Sequence, residues 1–287
     1  MSILLPSRQR RQLKSWLKWL RRSCVRRWCS FDRADLLHLF ERLGVRSGDA
    51  LLVHASFDRF EGFLGKPTDV ITALEEAVGP GGTILMPTLP FTGTAVDYVA
   101  GGKIFDVLRT PSSMGLLSEM FRRSPGVVRS VHPTHSVAAW GTKAEEMVID
   151  HHMARTPCGV GTPFYRLIEQ EAKMLFLGID INAMTLFHTV EELLEPRMPF
   201  SPFTKEVFCL KSRDPDGKIL VTTTRLLDPY WSRRRNLDKL VPVLRTRGAW
   251  RSGKCGILKT ILLDCNEVLK ACQALALKGV YCYESGR

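Results

Sequence analysis

The sequence predicts an α/β protein whose sheet is covered by helices. Three observations carry this. Short apolar, β-branched runs alternate with stretches of helical period. Glycine and proline punctuate the joins. The chain has 287 residues, 45% of them hydrophobic, enough to bury a sizeable core.

The elements follow in order. In "SFDRADLLHLFERLGV", Ser30 is the expected N-cap and Gly44 the stop of a helix. "DALLVHAS", residues 49–56, reads as a buried strand. In "FEGFLGKPTDVITALEEAVG", Thr68 or Asp69 is expected to cap a helix that ends at Gly79. "GGTILMPTLP" reads as the next strand and its loop, and "PSSMGLLSEMFRRSPG" as a helix with Pro111 in its first turn. "SVAAWG" and "AKMLFLGID" are further strands, and "AMTLFHTVEELL" a further helix. Beyond about residue 200 come short strands, a basic stretch and the helix "LLDCNEVLKACQALAL". The expected organisation is a basic segment over 1–30 and one domain over 31–287, with 200–287 as a smaller C-terminal α+β part on the acceptor side.

The formal charge of +12 is unevenly placed. Residues 1–30 hold nine Lys/Arg and no acid, which leaves 32 of the 41 basic residues against all 29 acidic ones. A nearly neutral body does not have the electrostatic footprint of a nucleic-acid-binding domain. The eight cysteines form no CxxC pair, a scatter that suits a reducing cytoplasm. No apolar run approaches the ~20 residues that span a bilayer.

In "RRQLKSWLKWLRRSCVRRW", Leu13, Trp16, Leu17, Leu20, Cys24 and Trp28 recur at three- and four-residue steps, with Arg and Lys on most of the other side. That pattern suits a helix lying on an anionic membrane surface. It equally suits a helix docked on the protein's own body or on a second subunit. An acid-free, Arg-rich start also has the look of an organelle transit peptide.

Several residues carry candidate chemistry. "HASFDRFEGFLGKPTDVITAL" follows a strand, contains Gly62 and Gly65, and opens a helix, as an anion-binding loop does. It matches neither GxGxxG nor GxxxxGK(S/T), so a plain turn competes with that reading. "TLFHTVEE" sets His188 and Glu191 one helical turn apart, with Thr185 a turn earlier. A carboxylate beside an imidazole raises its basicity and fixes its tautomer, as a general base requires; a plain surface pair has the same spacing. His132 and His135 flank Pro133 in "RSVHPTHSVAAWG". Without HExxH or a nearby cysteine or carboxylate pair, no metal site is expected there.

The ordered blocks "GDALLVHASF", "GPGGTILMPT", "RTPSSMGLLSEMFRRSPGVVRSVHPTHSVAAWG", "CGVGTPFYRL" and "KMLFLGIDINAMTLFHTVEE" make the chain resemble the aminoglycoside 3-N-acetyltransferases and their wider acyltransferase family. The resemblance is close over roughly residues 34–200 and looser beyond. It implies a central mixed sheet flanked by helices, distinct from the GNAT fold. It also implies acetyl-CoA or another acyl-CoA as co-substrate, no metal, and direct transfer to an amine.

By match of motif, the resemblance implies that Ser56 and the loop 62–69, with Gly62, Gly65 and Thr68, face the pantetheine and phosphates. Thr110, Ser112, Met114 and Gly115 form a second part of that site. His188 falls on the family's catalytic histidine and Glu191 on its acidic residue three positions later. Asp180 is the alternative group to orient the imidazole. His135 and Ser136 line or back the acyl-CoA cleft, and His132 braces the loop.

The acceptor side departs from the antibiotic-modifying relatives. Arg225–Arg251 holds eight basic residues and only two acids, Asp228 and Asp238. Arginine clusters suit phosphate or carboxylate; a solvated basic surface is the competing reading. The leading expectation is therefore N-acylation of an anionic amino sugar, nucleotide- or lipid-linked, from a surface-polysaccharide pathway. The alternatives are an aminoglycoside 3-N-acetyltransferase in the strict sense, and an inactive membrane-attached scaffold. The expected partner is a small-molecule amino-sugar acceptor. A cytoplasmic monomer or homodimer is expected, with residues 1–30 touching the membrane's inner face.

Overall fold

The computed structural model describes residue 16 and residues 23–284. The strands are β1 (Ala50–Ala55), β2 (Thr83–Pro87), β3 (Phe105–Asp106), β4 (Val128–Arg129), β5 (Val137–Gly141), β6 (Lys173–Leu177), β7 (Phe203–Arg213), β8 (Ile219–Leu227), β9 (Arg251–Cys255) and β10 (Leu258–Asp264). The helices are α1 (Arg33–Leu43), α2 (Pro67–Val78), α3 (Ala95–Val99), α4 (Leu116–Phe121), α5 (Ala144–Val148), α6 (Pro163–Glu169), α7 (Phe187–Leu194), α8 (Pro229–Ser232), α9 (Val241–Thr246) and α10 (Cys265–Ala276).

A seven-stranded sheet in the order β4-β5-β2-β1-β6-β10-β9 forms the centre. β2, β1 and β6 are mutually parallel, while β5 and β10 pair antiparallel on either side of them. The expected central mixed sheet flanked by helices is what the chain builds. Its central strands are apolar without interruption because both faces are covered. Leu51, Val53, Ile84, Met86, Leu175 and Leu177 pack under α1, α2 and α4, against Leu36, Phe40, Val70, Leu74, Leu117 and Phe121. Leu52, Leu85, Met174 and Phe176 point the other way, under α5, α6, α7 and α10. Successive side chains of one strand thus seed two separate cores.

The C-terminal third joins in two ways. β7 and β8 form a long hairpin that pairs with β3 in a second sheet. β9 and β10 extend the central sheet, and α10 covers it through Val268, Ala271 and Cys272.

Three helix starts differ from expectation. The N-cap of α1 is Asp32, with a reciprocal bond pair to Asp35, and not Ser30. Phe31 bridges to Phe63, which keeps the backbone extended up to that point. α2 begins at Pro67 behind Lys66, so neither Thr68 nor Asp69 is the cap. α4 begins at Leu116 behind Gly115, because Asp106, Leu89 and Glu119 hold the segment after Pro111 as a loop. Gly115 has φ +111°, a conformation that favours glycine.

Most of segment 1–30, and with it the amphipathic pattern, lies outside the described residues. Residues 23–28 are helical, Val25 is buried and Trp28 is 77% exposed. Among the described residues, no helix is long and apolar enough to cross a membrane.

Candidate active site

The C-terminal ends of the three parallel strands lie side by side, the position where open α/β sheets hold ligands. β1 is followed by Ser56, whose N–H donates to Leu177 O (3.0 Å) and so zips the strand end to β6. β2 is followed by Thr88, whose N–H donates to Ser136 O (2.8 Å). After β6 the chain turns through Gly178 and a single 3-10 turn, Ile181–Ala183, into α7, which presents His188.

His188 is buried and touches two groups. Its Nδ1 lies 2.5 Å from Glu191 Oε2, and its Nε2 lies 3.1 Å from Arg235 Nη1. A carboxylate oxygen only accepts and a guanidinium only donates. The pair therefore assigns a neutral ring with hydrogen on Nδ1 and a lone pair on Nε2. Burial and the Arg235 charge hold the His188 pKa below its ordinary value, against the opposing pull of Glu191. Glu191 is itself buried and also accepts from the Tyr283 hydroxyl, while Arg235 Nε lies 3.9 Å from its Oε1. Burial pushes the Glu191 carboxyl up, but His188 and Arg235 outweigh it and hold it below its usual range.

Asp180 plays no part in this contact. Its carboxylate accepts from Asn182 N–H (2.9 Å), capping the turn before α7. Of the two acids, Glu191 is the one in contact with the ring, because one helical turn sets it beside the imidazole.

The HPTH loop is braced from within. His132 Nδ1 accepts from the N–H groups of His135 (3.0 Å) and Thr134 (3.3 Å). His132 stacks on His151 at 4.5 Å, and His151 is held by Ser130 and the Pro157 carbonyl (2.8 Å each). His135 bonds Thr134 and turns its ring edge-on to His188 at 5.7 Å. Ser136 is wholly buried, bonded to Thr88 and Arg129, and so lies behind the strand ends. Among the described residues, no group of three His, Cys, Asp or Glu is placed to hold a metal ion.

The remaining coenzyme candidates divide in two. Gly115 stands beside β1: a Cβ there would lie 4.0 Å from Ala55 O. Ser112 Oγ bonds Ser118 and accepts from Met114 N–H, and Thr110 accepts from Asp106 N–H, which fixes the loop before Gly115. Arg129 clamps that loop through the Thr110 carbonyl (2.6 Å) and the β2 end through the Thr88 carbonyl (2.6 Å).

Gly62, Gly65 and Thr68 lie in the stretch that joins the end of β1 to the start of α2. Gly62, at φ +92°, packs where a Cβ would meet Cys29 O at 2.8 Å, and its carbonyl accepts from Phe31 N–H. Gly65 packs against Phe63 and Asp69. Thr68 is exposed on the first turn of α2, and Asp69 already answers the Lys66 N–H there (2.7 Å). Asp69 thus closes the start of α2, and Gly62 packs onto Val25 and Cys29. The groove of about 800 Å³ is floored by Arg129 and His151, and His188 is not among its walls.

Arg235 had appeared in the sequence only as one of eight basic residues, and Tyr283 not at all. Separations of 47 and 92 residues leave no local pattern to read. Most of that basic cluster is spoken for within the chain. Arg225 forks onto Glu195, Arg247 pairs with Glu267 and Arg251 with Asp264. Arg234 lies over the Tyr230 ring, and Lys239 donates to the Tyr281 and Tyr283 carbonyls. Arg235 is the member that reaches His188.

The five buried histidines have a measurable consequence. Burial lowers His54 and His151 to about 3, and pushes His132, His135 and His188 down as well. Each is held neutral when folded and binds a proton when unfolded, near pH 6.5. The unfolded chain therefore binds more protons as pH falls below that value, and stability drops by up to about 1.4 kcal/mol per pH unit for each such group. Urea unfolding at pH 7.5 and pH 5.5 is expected to show a loss of several kcal/mol. Equal stability at both would mean that these rings are open to solvent.

The "Aminoglycoside N(3)-acetyltransferase IV" of Salmonella sp is 34% identical over 170 residues, 58% of this chain. The match spans about three-fifths of that relative's length, 60%. Among solved structures, aminoglycoside acetyltransferase AAC(3)-Xa superposes with a TM-score of 0.73 at 25% identity, over 88% of this chain and 95% of that one. AAC-IIIb, solved as a binary complex with CoASH, gives 0.70 at 25% identity over 89% and 99%. The sequence model described as Aminoglycoside 3-N-acetyltransferase matches residues 52–276, and the chain belongs to that family.

Proposed function

We propose that this protein transfers an acetyl or other short acyl group from an acyl-coenzyme A to an amine of an aminoglycoside-type amino sugar. The buried His188–Glu191 pair at the strand ends, in a chain of this family, carries the reading. The names of the relatives favour an aminoglycoside acceptor, and the CoASH complex of a neighbour favours the donor.

An ammonium has no lone pair, so the acceptor loses a proton before it attacks. His188 Nε2 takes that proton, and Glu191 stabilises the imidazolium through Nδ1–H. The amine nitrogen then bonds to the thioester carbonyl carbon. As the carbon–sulfur bond breaks, the leaving thiolate takes the first proton back from His188, and the freed Nε2 then takes the second proton from the new amide nitrogen and passes it to water. Ser56 and the loop 110–115 are the groups assigned to the thioester end, and a hydroxyl or N–H there would stabilise the oxyanion. The Ser56 N–H is committed to Leu177 O, so its hydroxyl is the group free for that task.

A second reading keeps the same chemistry with an acceptor that bears an anionic group, as in a nucleotide- or lipid-linked sugar. Internal pairing of most of the basic cluster removes much of its support, and Arg235 is what remains in its favour. Under either reading, residues 1–30 are proposed to hold the enzyme at an anionic membrane surface.

The test is thiol release from acetyl-CoA with gentamicin-type and anionic amino-sugar acceptors, with products read by mass. An acetylated amino sugar is the expected result. Neither thiol nor acetylated product from any acceptor would leave the inactive-scaffold reading in its place.

A further inference from the structure

We propose that Arg235 forms an anion subsite beside His188, so that a phosphate or carboxylate on the acceptor draws its guanidinium off the imidazole lone pair and frees the base. This deepens the second reading above and rests on it.

Arg235 Nη1 donates to His188 Nε2 (3.1 Å), the atom that must accept the amine's proton. An acceptor N–H and the guanidinium cannot share one lone pair, so Arg235 leaves it in every turnover. Its other contacts hold it weakly. Nε is buried without a hydrogen-bond partner, and the nearest Glu191 oxygen is 3.9 Å away. The side chain keeps 17% exposure, so it borders open space. A guanidinium that is under-bonded and next to the reacting centre needs a destination, and an anion two N–H groups wide is the natural one.

Charge balance points the same way. At rest Arg235 is offset by Glu191, whose other contacts, His188 and Tyr283, are neutral donors. The other side chain facing the His188 ring, His135, is buried and neutral. An arriving ammonium, or the imidazolium it creates, sets two cations against one carboxylate in a dry site. An anion on the acceptor restores the balance. A polycation without one makes it worse, so the residue selects acceptors as well as uncovering the base.

The experiment compares glucosamine with glucosamine 6-phosphate as probes on the full chain and on Arg235→Gln. Affinity is read by calorimetry and the His188 ring by nitrogen-15 NMR. The phosphate probe is expected to bind the unmodified chain about 10- to 100-fold tighter, the range a charge-assisted hydrogen bond supplies, and to move the Nε2 resonance. In Arg235→Gln that preference collapses and the His188 titration moves to higher pH, because a neighbouring cation is gone. Arg235→Lys, which keeps the charge without the fork, is expected to retain part of the preference and serves if the Gln variant fails to fold. Equal binding of both probes to the unmodified chain, or an undiminished preference in Arg235→Gln, overturns the subsite. The reaction is judged apart: acetylation without any phosphate preference sinks the subsite alone, and a phosphate preference without any acetylation sinks the reaction alone.

Discussion

His188→Ala is expected to lower kcat by at least ~10²-fold while coenzyme A binding stays within about twofold. The size follows from the role. Without the imidazole, only water or a distant group takes the amine's proton, and a positioned base is commonly worth ~10²–10⁴ in rate. The split follows from the geometry. His188 sits on α7, and the contacts of Ser56, Thr110, Ser112 and Gly115 run through β1, β6 and Arg129. Removing the ring leaves Glu191 with one buried oxygen unpaired, so a fall in stability of about 1–3 kcal/mol accompanies the loss. Calorimetry with coenzyme A, beside steady-state rates, separates the two effects. Turnover within tenfold of the unmodified enzyme would show that the proton leaves by another route.

Glu191→Gln should produce the largest change in stability. The side chain is 2% exposed and answers three groups from distant parts of the chain: His188, Tyr283 and Arg235. The substitution keeps the shape and deletes the charge. It weakens the pair with Arg235, and its NH2 must face a donor, either His188 Nδ1–H or the Tyr283 hydroxyl, which is left unpaired; each such buried group costs about 1–3 kcal/mol. It also removes the acceptor that fixes the proton on Nδ1, so the ring is free to present the wrong tautomer. Stability by urea unfolding and kcat are both expected to fall. A variant as stable as its parent would mean that the His188 and Tyr283 donors find other acceptors.

These two effects meet in one cluster that the chain announced only in part. The spacing His188–Glu191 was visible because one helical turn joins the residues, and the local apolar pattern marked the helix. So were the strands ending at Ala55, Pro87 and Leu177, since strands buried on both faces read as unbroken apolar runs. The N-cap of α1 lies two residues beyond Ser30 because a contact between Phe31 and Phe63, absent from any local window, keeps the backbone extended.

The same division runs through the site. The sequence by itself determined the alternation of strands and helices, the order of blocks that marks the family, and the imidazole–carboxylate pair on one helix face. All three are local, set by period, capping and side-chain chemistry within a few residues. Only the tertiary structure decided which arginine of the basic stretch reaches the imidazole, that a tyrosine near the C-terminus closes the carboxylate, and that Asp180 caps a turn elsewhere. Those facts depend on burial and on contacts across many tens of residues, where a charge's partner is set by packing and not by its neighbours in the chain.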